Sequence, residues 1–417
     1  MRIKTILNRV QKFKSFVYGE VRWAEDEREA AIDVELRPRK NSRPLCPECG
    51  HRRPGYDKRP TQRFEFIPMW GFKVFFCYAP RRVNCPDCGI HVERMPWVKG
   101  KHRLTESYAW FLAGWAKRLS WKEVGEAFHT TWYHVFCSVE MAVFWGRERM
   151  KLSGIEAIGV DEIQWQRGHH YLTLVYQIDA SCRRLLWIGK NRKVKTLLGF
   201  FRWFGKERTG DLQYICSDMW KPYLKVIAKK AGGALHILDR FHIMAHMSKA
   251  IDEVRAKETR ELKEQGLEPV LTKSRWLLLK RPENLTEKQD TKLAELVKLN
   301  LRSIRSYLLK EEFQLFWSYV SPHWAGLFLD DWCEKTMRSK IAPMKKVARM
   351  LRNHRALLLN WFRAKKRFSS GIVEGLNNKA KLTTRKAYGF RTYHGIEIAL
   401  YHALGDLPVP NFTHRFF

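Results

Sequence analysis

Ile155-Glu156-Ala157-Ile158-Gly159-Val160-Asp161-Glu162-Ile163 is an apolar-rich run of strand length that carries a pair of carboxylates near its end. A turn at Gln166-Arg167-Gly168 leads into a second such run, residues 171–179, and another turn leads into a third, residues 184–188. Three strands joined by short turns form an antiparallel meander. Downstream the period lengthens. Residues 194–204 read as a helix, 213–218 as a buried strand closing on Asp218, and 220–230 as a helix. Residues 234–239 read as a further strand closing on Asp239, and a long polar helix begins near His242.

The order βββαβαβα is that of the ribonuclease-H-like fold, a mixed sheet with helices on its faces. In that fold the first and fourth strands are central neighbours, so Asp161 and Asp218 should meet near their ends. Asp239 is the rival to Asp218, ranked lower because the fifth strand lies one position further from the first. Glu162 is the rival to Asp161, but alternation along a strand sends the two to opposite faces. An Asp that closes a strand also commonly caps the next helix, a structural role open to Asp218 and Asp239. Asp179 is assigned only to its turn.

Residues 245–366 are charged and helix-forming, with Trp276, Trp317, Trp324, Trp332 and Trp361 available to pack and breaks at Pro269, Pro282 and Pro322. This richness in Trp and Leu predicts an all-helical insertion in the α/β core, not a linker. It ends at Ser369-Ser370-Gly371-Ile372-Val373-Glu374-Gly375-Leu376-Asn377-Asn378-Lys379-Ala380-Lys381. From Lys335 to Arg391 there are 17 Lys and Arg and one acidic residue, Glu374. A stretch this basic tracks a polyanion. On a helix, Glu374, Asn378, Lys381 and Arg385 share one face, with Ser369 or Ser370 as cap. Gly375 implies close backbone approach or a late helix start. Glu374 is then either half of a surface ion pair or a ligand for a cation beside phosphates.

The N-terminal part carries two near-copies, Cys46-Pro47-Glu48-Cys49-Gly50-His51 and Cys85-Pro86-Asp87-Cys88-Gly89-Ile90-His91. Each aims two thiolates at one tetrahedral ion, with residues 63–68 and 73–78 as a hairpin joined at Trp70-Gly71 between them. A zinc ribbon is expected, with Cys46, Cys49, Cys85 and Cys88 holding one structural Zn²⁺ and His51 and His91 in reserve. Cys77 reads as a buried strand residue. Residues 104–119, 120–128 and 132–143 read as helices, the last two separated by His129-Thr130-Thr131. That spacing fits a helix-turn-helix, with Trp132, Tyr133 and His134 starting the DNA-probing helix; any compact helical hairpin would give the same signal.

With 417 residues, 45% apolar, 13% aromatic and 17 Trp, the chain is long enough for several domains and is not disordered. The expected boundaries are 1–102, 103–150, 151–244, 245–366 and 367–417, the outer two of the last three forming one α/β core. A net charge of +34 favours nucleic acid over a small-molecule partner. No apolar run approaches a membrane span, and charge interrupts the N-terminus too early for a signal peptide. A cytoplasmic, nucleoid-associated protein is expected. Nine Cys, four of them in Cys-x-x-Cys pairs, fit metal binding in a reducing compartment.

Two strand-end aspartates and a helical glutamate make a carboxylate set for two Mg²⁺ ions, about 3.5–4 Å apart, as phosphodiester chemistry requires. Asp161, Asp218 and Glu374 fill these places, and Asn378, Lys381 and Arg385 are placed to meet DNA. The chain resembles the bacterial insertion-sequence transposases with a DDE active site, most closely the ISL-three family. The resemblance rests on the two Cys-Pro-x-Cys-Gly pairs, Val160-Asp161-Glu162, Ser217-Asp218, Asp239-Arg240-Phe241-His242, Val373-Glu374-Gly375-Leu376-Asn377, Lys381 and Tyr388-Gly389-Phe390-Arg391. It implies a zinc-binding region and helix-turn-helix that recognise terminal inverted repeats, and Asp161, Asp218 and Glu374 as the catalytic triad. Asp239 and His242 are expected to support the ligands or to face DNA. The implied activity is cleavage at element ends and joining of 3′ hydroxyls to target DNA, by a homodimer or higher multimer on duplex DNA. The alternatives are a catalytically inactive DNA-binding regulator and a nuclease without strand transfer.

Overall fold

The structure, a computed structural model, describes residues 3–24, 30–99, 103–266, 270–271, 274–280, 282–299, 301–368 and 371–411. They fall into two compact units, one of residues 1–150 and 386–417, the other of residues 151–385. The expected last segment, 367–417, is therefore divided between the units at residue 386. Among the described residues no helix is long and apolar enough to cross a membrane.

The first unit begins with α1 (Ile3–Val10), β1 (Phe16–Ala24) and β2 (Ala31–Pro38). It continues through β3 (Gly55–Lys58), β4 (Gln62–Met69), β5 (Phe72–Tyr78), β6 (Arg81–Cys85) and β7 (Gly89–Val92). Alternate residues of β4 and β5 are buried, and Trp70 and Gly71 both take positive φ in the tight hairpin between them. This hairpin does not carry the cysteine knuckles, contrary to the sequence expectation. It joins β1 and β2 in a sheet of order β1-β2-β5-β4, because β2 pairs in parallel with β5. Phe16, Phe64, Phe66, Phe76, Tyr78 and Trp97 form the core there. The knuckles belong to a separate three-stranded sheet, β3-β6-β7.

Three helices follow, α2 (Glu106–Trp115), α3 (Trp121–Ala127) and α4 (Trp132–Glu148), the first shorter than expected and the last longer. Ser120 and Glu123 form a reciprocal capping box at the start of α3, and Thr131 caps α4. A Cβ on Gly125 would lie 3.1 Å from backbone atoms of Thr130 and Trp132, so the turn between α3 and α4 needs glycine there.

The second unit opens with β8 (Ala157–Gln166), β9 (His170–Asp179) and β10 (Cys182–Lys190). It continues through α5 (Val194–Phe204), α6 (Lys206–Gly210), β11 (Tyr214–Ser217), α7 (Lys221–Lys230) and β12 (Leu235–Leu238). The five strands form one sheet of order β10-β9-β8-β11-β12, antiparallel across β10-β9-β8 and parallel across β8-β11-β12. The first and fourth strands are neighbours, as the element order predicts. Ile158, Val160, Val175 and Ile215 pack against Leu197, Phe200 and Phe204 of α5 and Tyr223 and Ile227 of α7.

From α8 (Arg240–Glu264) the described residues are helical, through α9 (Arg275–Leu279), α10 (Glu287–Val297), α11 (Arg302–Gln314), α12 (Pro322–Arg338), α13 (Ala342–Asn353), α14 (Arg355–Arg363) and α15 (Gly371–Lys386). Trp317, Trp332 and Trp361 are buried, whereas Trp276 and Trp324 are exposed. Pro322 occupies the first turn of α12; Pro269, Ser369 and Ser370 lie outside the described residues. The last helix, α16 (Tyr393–Leu404), packs on α4 within the first unit, where Arg147 meets Glu397 at 3.4 Å.

On α15, Glu374, Asn378, Lys381 and Arg385 are exposed along the one face drawn from helical geometry, while Val373, Leu376, Ala380 and also Asn377 are buried. The close approach lies elsewhere than expected. Nothing comes within 4 Å of a Cβ on Gly375, but one on Gly159 of β8 would sit 2.4 Å from a methyl of Val373. Gly159→Val should therefore push α15 from the sheet and lower stability by about 1–3 kcal/mol. Chemical denaturation measures this, and an unchanged midpoint would contradict the contact.

Candidate active site

Strand register sets the site. Cys216 of β11 is level with Gly159 of β8, and Ser217 is level with Leu238 of β12. Continuing both ladders brings Asp161, Asp218 and Asp239 level across three adjacent strands. Each aspartate fixes one oxygen on local backbone. Asp161 Oδ1 accepts from Glu162 N (2.8 Å), Asp218 Oδ1 from Trp220 N (3.0 Å), and Asp239 Oδ1 from Phe241 N (2.6 Å) at the start of α8. Asp239 does cap α8, whereas Asp218 turns the chain ahead of α7 without capping it, and each role uses only one oxygen.

The second oxygens turn into the site. Asp161 Oδ2 accepts from Asn377 Nδ2 at 2.5 Å, and Asn377 Oδ1 in turn accepts from the buried Tyr176 hydroxyl at 2.7 Å. His242 Nε2 lies 3.9 Å from Asp161 Oδ1 and 3.7 Å from Asp239 Oδ2. Burial raises the Asp161 carboxyl above the ordinary range, and the negative charges of Asp239 and Asp218 raise it further against the Glu162 N–H and His242.

Glu162 also enters the site, although alternation does send it to the other face of the sheet from Asp161. Asp218 hangs beyond the end of β11 and feels both. Burial, then the charge of Asp218, pushes the Glu162 carboxyl up to about 8, against the opposing pull of Arg192. Arg192 bridges the two acids, with Nε 3.0 Å from Glu162 Oε1 and Nη2 2.7 Å from Asp218 Oδ2.

Two of the three expected triad members are thus brought together. Glu374 stands on the exposed face of α15, three residues before Asn377, and none of the described contacts joins it to Asp161 or Asp218. Asn378, Lys381 and Arg385 are exposed beside it. In the first unit Trp132 and Tyr133 are 59% and 54% exposed at the start of α4, whereas the His134 ring is 3.0 Å from Thr130 Oγ1. Asn377 and Arg192 were not among the expected site residues, and Glu162 was weighed only as the rival to Asp161. A polar side chain at position 377, inside the apolar stripe of its helix, was the available signal for the first. Arg192, in a basic connecting loop, carried none.

A second donor set lies in the first unit. Cys46 and Cys49 precede β3, Cys85 ends β6 and Cys88 precedes β7, and the four Sγ atoms lie within 4.8 Å of one another. Gly50 and Gly89 take positive φ just after each pair, which turns the chain so that both thiols of a pair point one way. His91 Nε2 is 2.5 Å from the Cys88 carbonyl. Among the described residues this is the one group of three or more His, Cys, Asp or Glu so closely gathered. Four thiolates suit a structural zinc and leave no open position for catalysis. Around Asp161 the donors are carboxylate oxygens whose charges repel one another, the ligand type that hard divalent cations take.

A transposase family profile of the ISL3 DDE type matches residues 158–399, more than half of the chain. The transposase for insertion sequence element IS1001 of Bordetella parapertussis is 28% identical over 374 residues, covering 89% of this chain and 91% of that protein. The transposase for insertion sequence element IS1557 of Mycobacterium tuberculosis strain CDC 1551 is 27% identical, covering 95% of this chain and 94% of that protein. The same values hold for its counterpart in strain H37Rv.

Proposed function

Because the chain belongs to the ISL3-type transposase family, whose members act on DNA, we propose that it binds the terminal inverted repeats of its own element, cleaves there and joins the freed 3′ hydroxyls to target DNA. The observation that carries this reading is the gathering of Asp161 with Asp218 and Asp239, whose charges act on the Asp161 carboxyl and whose neighbour His242 lies 3.9 Å from Asp161 and 3.7 Å from Asp239, in a chain of net charge +34. The strand order, with its antiparallel first three strands and helices packed on the sheet, supports a ribonuclease-H-like assignment.

Asp161 and Asp218 would hold magnesium, with Glu374 as third ligand. Glu374 lies just under one turn from Asn377, which touches Asp161, and a change of its side-chain rotamer would be needed to turn its carboxylate toward the same site. Asp239 is a second reading for the third ligand, favoured by its register and its electrostatic contact with Asp161. Magnesium bound there would supply an activated hydroxyl nucleophile and stabilise the leaving oxygen of an in-line displacement. Asn377 fixes the orientation of Asp161 through the Tyr176 hydroxyl, and the Trp220 N–H fixes that of Asp218. Lys381 and Arg385 would hold DNA phosphates on the face of α15 that carries Glu374. In the first unit, the four cysteines would hold a structural zinc, and Trp132 and Tyr133 would lead the probing helix of a helix-turn-helix. Two element ends must be joined together, so a homodimer or higher multimer is the working form.

Gel-shift titration tests the binding half of the proposal. A duplex bearing the element's terminal repeat should bind more tightly than a scrambled duplex of equal length. Affinity should fall about 10³-fold or more between roughly 50 and 200 mM salt if six or more phosphates are neutralised. Equal affinity for both duplexes would remove end recognition, and salt-insensitive binding would remove the phosphate contacts.

A further inference from the structure

Arg192 is placed with unusual firmness for a residue in a connecting loop. It follows β10, where Asn191 takes a φ of 73° and turns the chain sharply. Asn191 N donates to Tyr171 O at 2.8 Å, and Asn191 O accepts from Thr173 Oγ1 at 2.8 Å, so the loop is pinned to β9. The guanidinium lies 4.6 Å from the centroid of the Trp220 ring, an arrangement with favourable cation–π geometry. From there it reaches Asp218 with a hydrogen bond of 2.7 Å. Its contact with Glu162 is different in kind. Nε and Oε1 are 3.0 Å apart, close enough for an ion pair, but neither atom has an aligned hydrogen-bond partner.

Which oxygen Arg192 holds is the important point. Asp218 Oδ1 is committed to the Trp220 N–H, and the remaining oxygen, Oδ2, is the one Arg192 takes. Oδ2, free of any backbone bond, is the oxygen of Asp218 most open to a divalent cation, and Arg192 competes for it. The guanidinium also supplies positive charge where Asp161, Glu162, Asp218 and Asp239 gather. A planar fork that satisfies a carboxylate satisfies a phosphodiester equally well. The side chain keeps 32% of its surface exposed, so it has a way out.

We propose that Arg192 is a built-in counter-ion that occupies the metal-facing oxygen of Asp218 before DNA arrives, and that it then transfers its guanidinium to a phosphate of the bound strand. The transfer frees Asp218 for the cation only when substrate is present. This inference rests on the reading of Asp161 and Asp218 as metal ligands.

The test is Mn²⁺ binding to the full chain, followed by electron paramagnetic resonance, with and without an element-end duplex. Without DNA, R192A and R192Q should each bind Mn²⁺ about tenfold more tightly than the unchanged protein, within the usual range of coupling between two sites. With DNA present that gap should close to within about twofold. R192Q retains a donor for Asp218, so it carries the same test should R192A fail to fold. Equal or weaker Mn²⁺ binding by R192Q without DNA would overturn the proposal and make Arg192 a structural tie. A gap that persists with DNA would overturn the transfer. D218N separates the two levels of the argument: if it binds Mn²⁺ as tightly as the unchanged protein, Asp218 is not a ligand and the metal reading itself fails.

Discussion

Asp161→Asn should leave binding to an element-end duplex unchanged while lowering strand cleavage by a factor on the order of 10³ or more. The substitution keeps the shape of the side chain, and its remaining oxygen can still accept from Glu162 N. It removes the negative charge that Asn377, His242 and the neighbouring acids surround. Stability should change little, because two effects oppose. An amide nitrogen set against Asn377 Nδ2 places donor against donor, at a cost of about 1–3 kcal/mol. Loss of the charge relieves the repulsion from Asp239 and Asp218 that helps hold the Asp161 carboxyl above its ordinary range. Gel shift, thermal melting and cleavage of an end-labelled duplex together measure this. Cleavage within about tenfold of the unchanged protein would remove Asp161 from the catalytic set.

Cys46→Ser should abolish zinc binding and unfold the small β3-β6-β7 sheet while leaving the β1-β2-β5-β4 sheet intact. The asymmetry follows from the two cores. The larger sheet buries a continuous aromatic cluster around Phe66, Phe76 and Trp97. The smaller one buries only Cys46, Val83 and Cys85, with Cys49 and Cys88 partly covered, and every residue of β3 is exposed. A sheet with so little apolar burial depends on its metal, and a structural zinc contributes about 10–16 kcal/mol of apparent binding energy at neutral pH. Metal analysis should give one zinc per unchanged chain and none in the variant. Limited proteolysis should then cut within residues 44–58 and 79–92 but spare the larger sheet. A variant that retains stoichiometric zinc would contradict a four-cysteine site.

The parts of the fold legible in the sequence are those specified locally. Residues 155–188 show short turns between strand-length apolar runs, and Asp218 and Asp239 do follow directly on β11 and β12. Strand β8, however, runs five residues past Asp161 to Gln166, because its pairing with β9 continues where its pairing with β11 has stopped. The Trp70-Gly71 turn was legible because a tight hairpin is a local event. The larger N-terminal sheet was not, since it forms only when β2 pairs in parallel with β5 across the intervening chain, and no short-range pattern records that pairing. The site divides in the same way. Charge isolation singled out Glu374 and helical geometry placed it correctly on an exposed face, but neither could say which side chain of α15 touches Asp161. That residue is Asn377, buried and about 60° around the helix from Glu374. Glu162 was set aside because alternation points it away from Asp161. The reasoning was sound about β8 and incomplete about Asp218, which extends past its strand and meets both acids. Arg192 owes its role to a loop pinned on β9 by Tyr171 and Thr173, contacts that no linear motif announces.

On this reading Asp161, within β8, and Asp218, just past β11, hold the ions that cut and rejoin DNA. Incubating the unchanged full chain with Mg²⁺, a labelled element-end duplex and a supercoiled target plasmid, then resolving the products on a denaturing gel, tests it most directly. Nicks that leave a 3′ hydroxyl at the repeat's terminus and labelled ends covalently joined to plasmid are expected, both absent with Asp161→Asn. Binding with neither nick nor joined product would contradict the enzyme in favour of a regulator, and nicks without joined product would identify a nuclease.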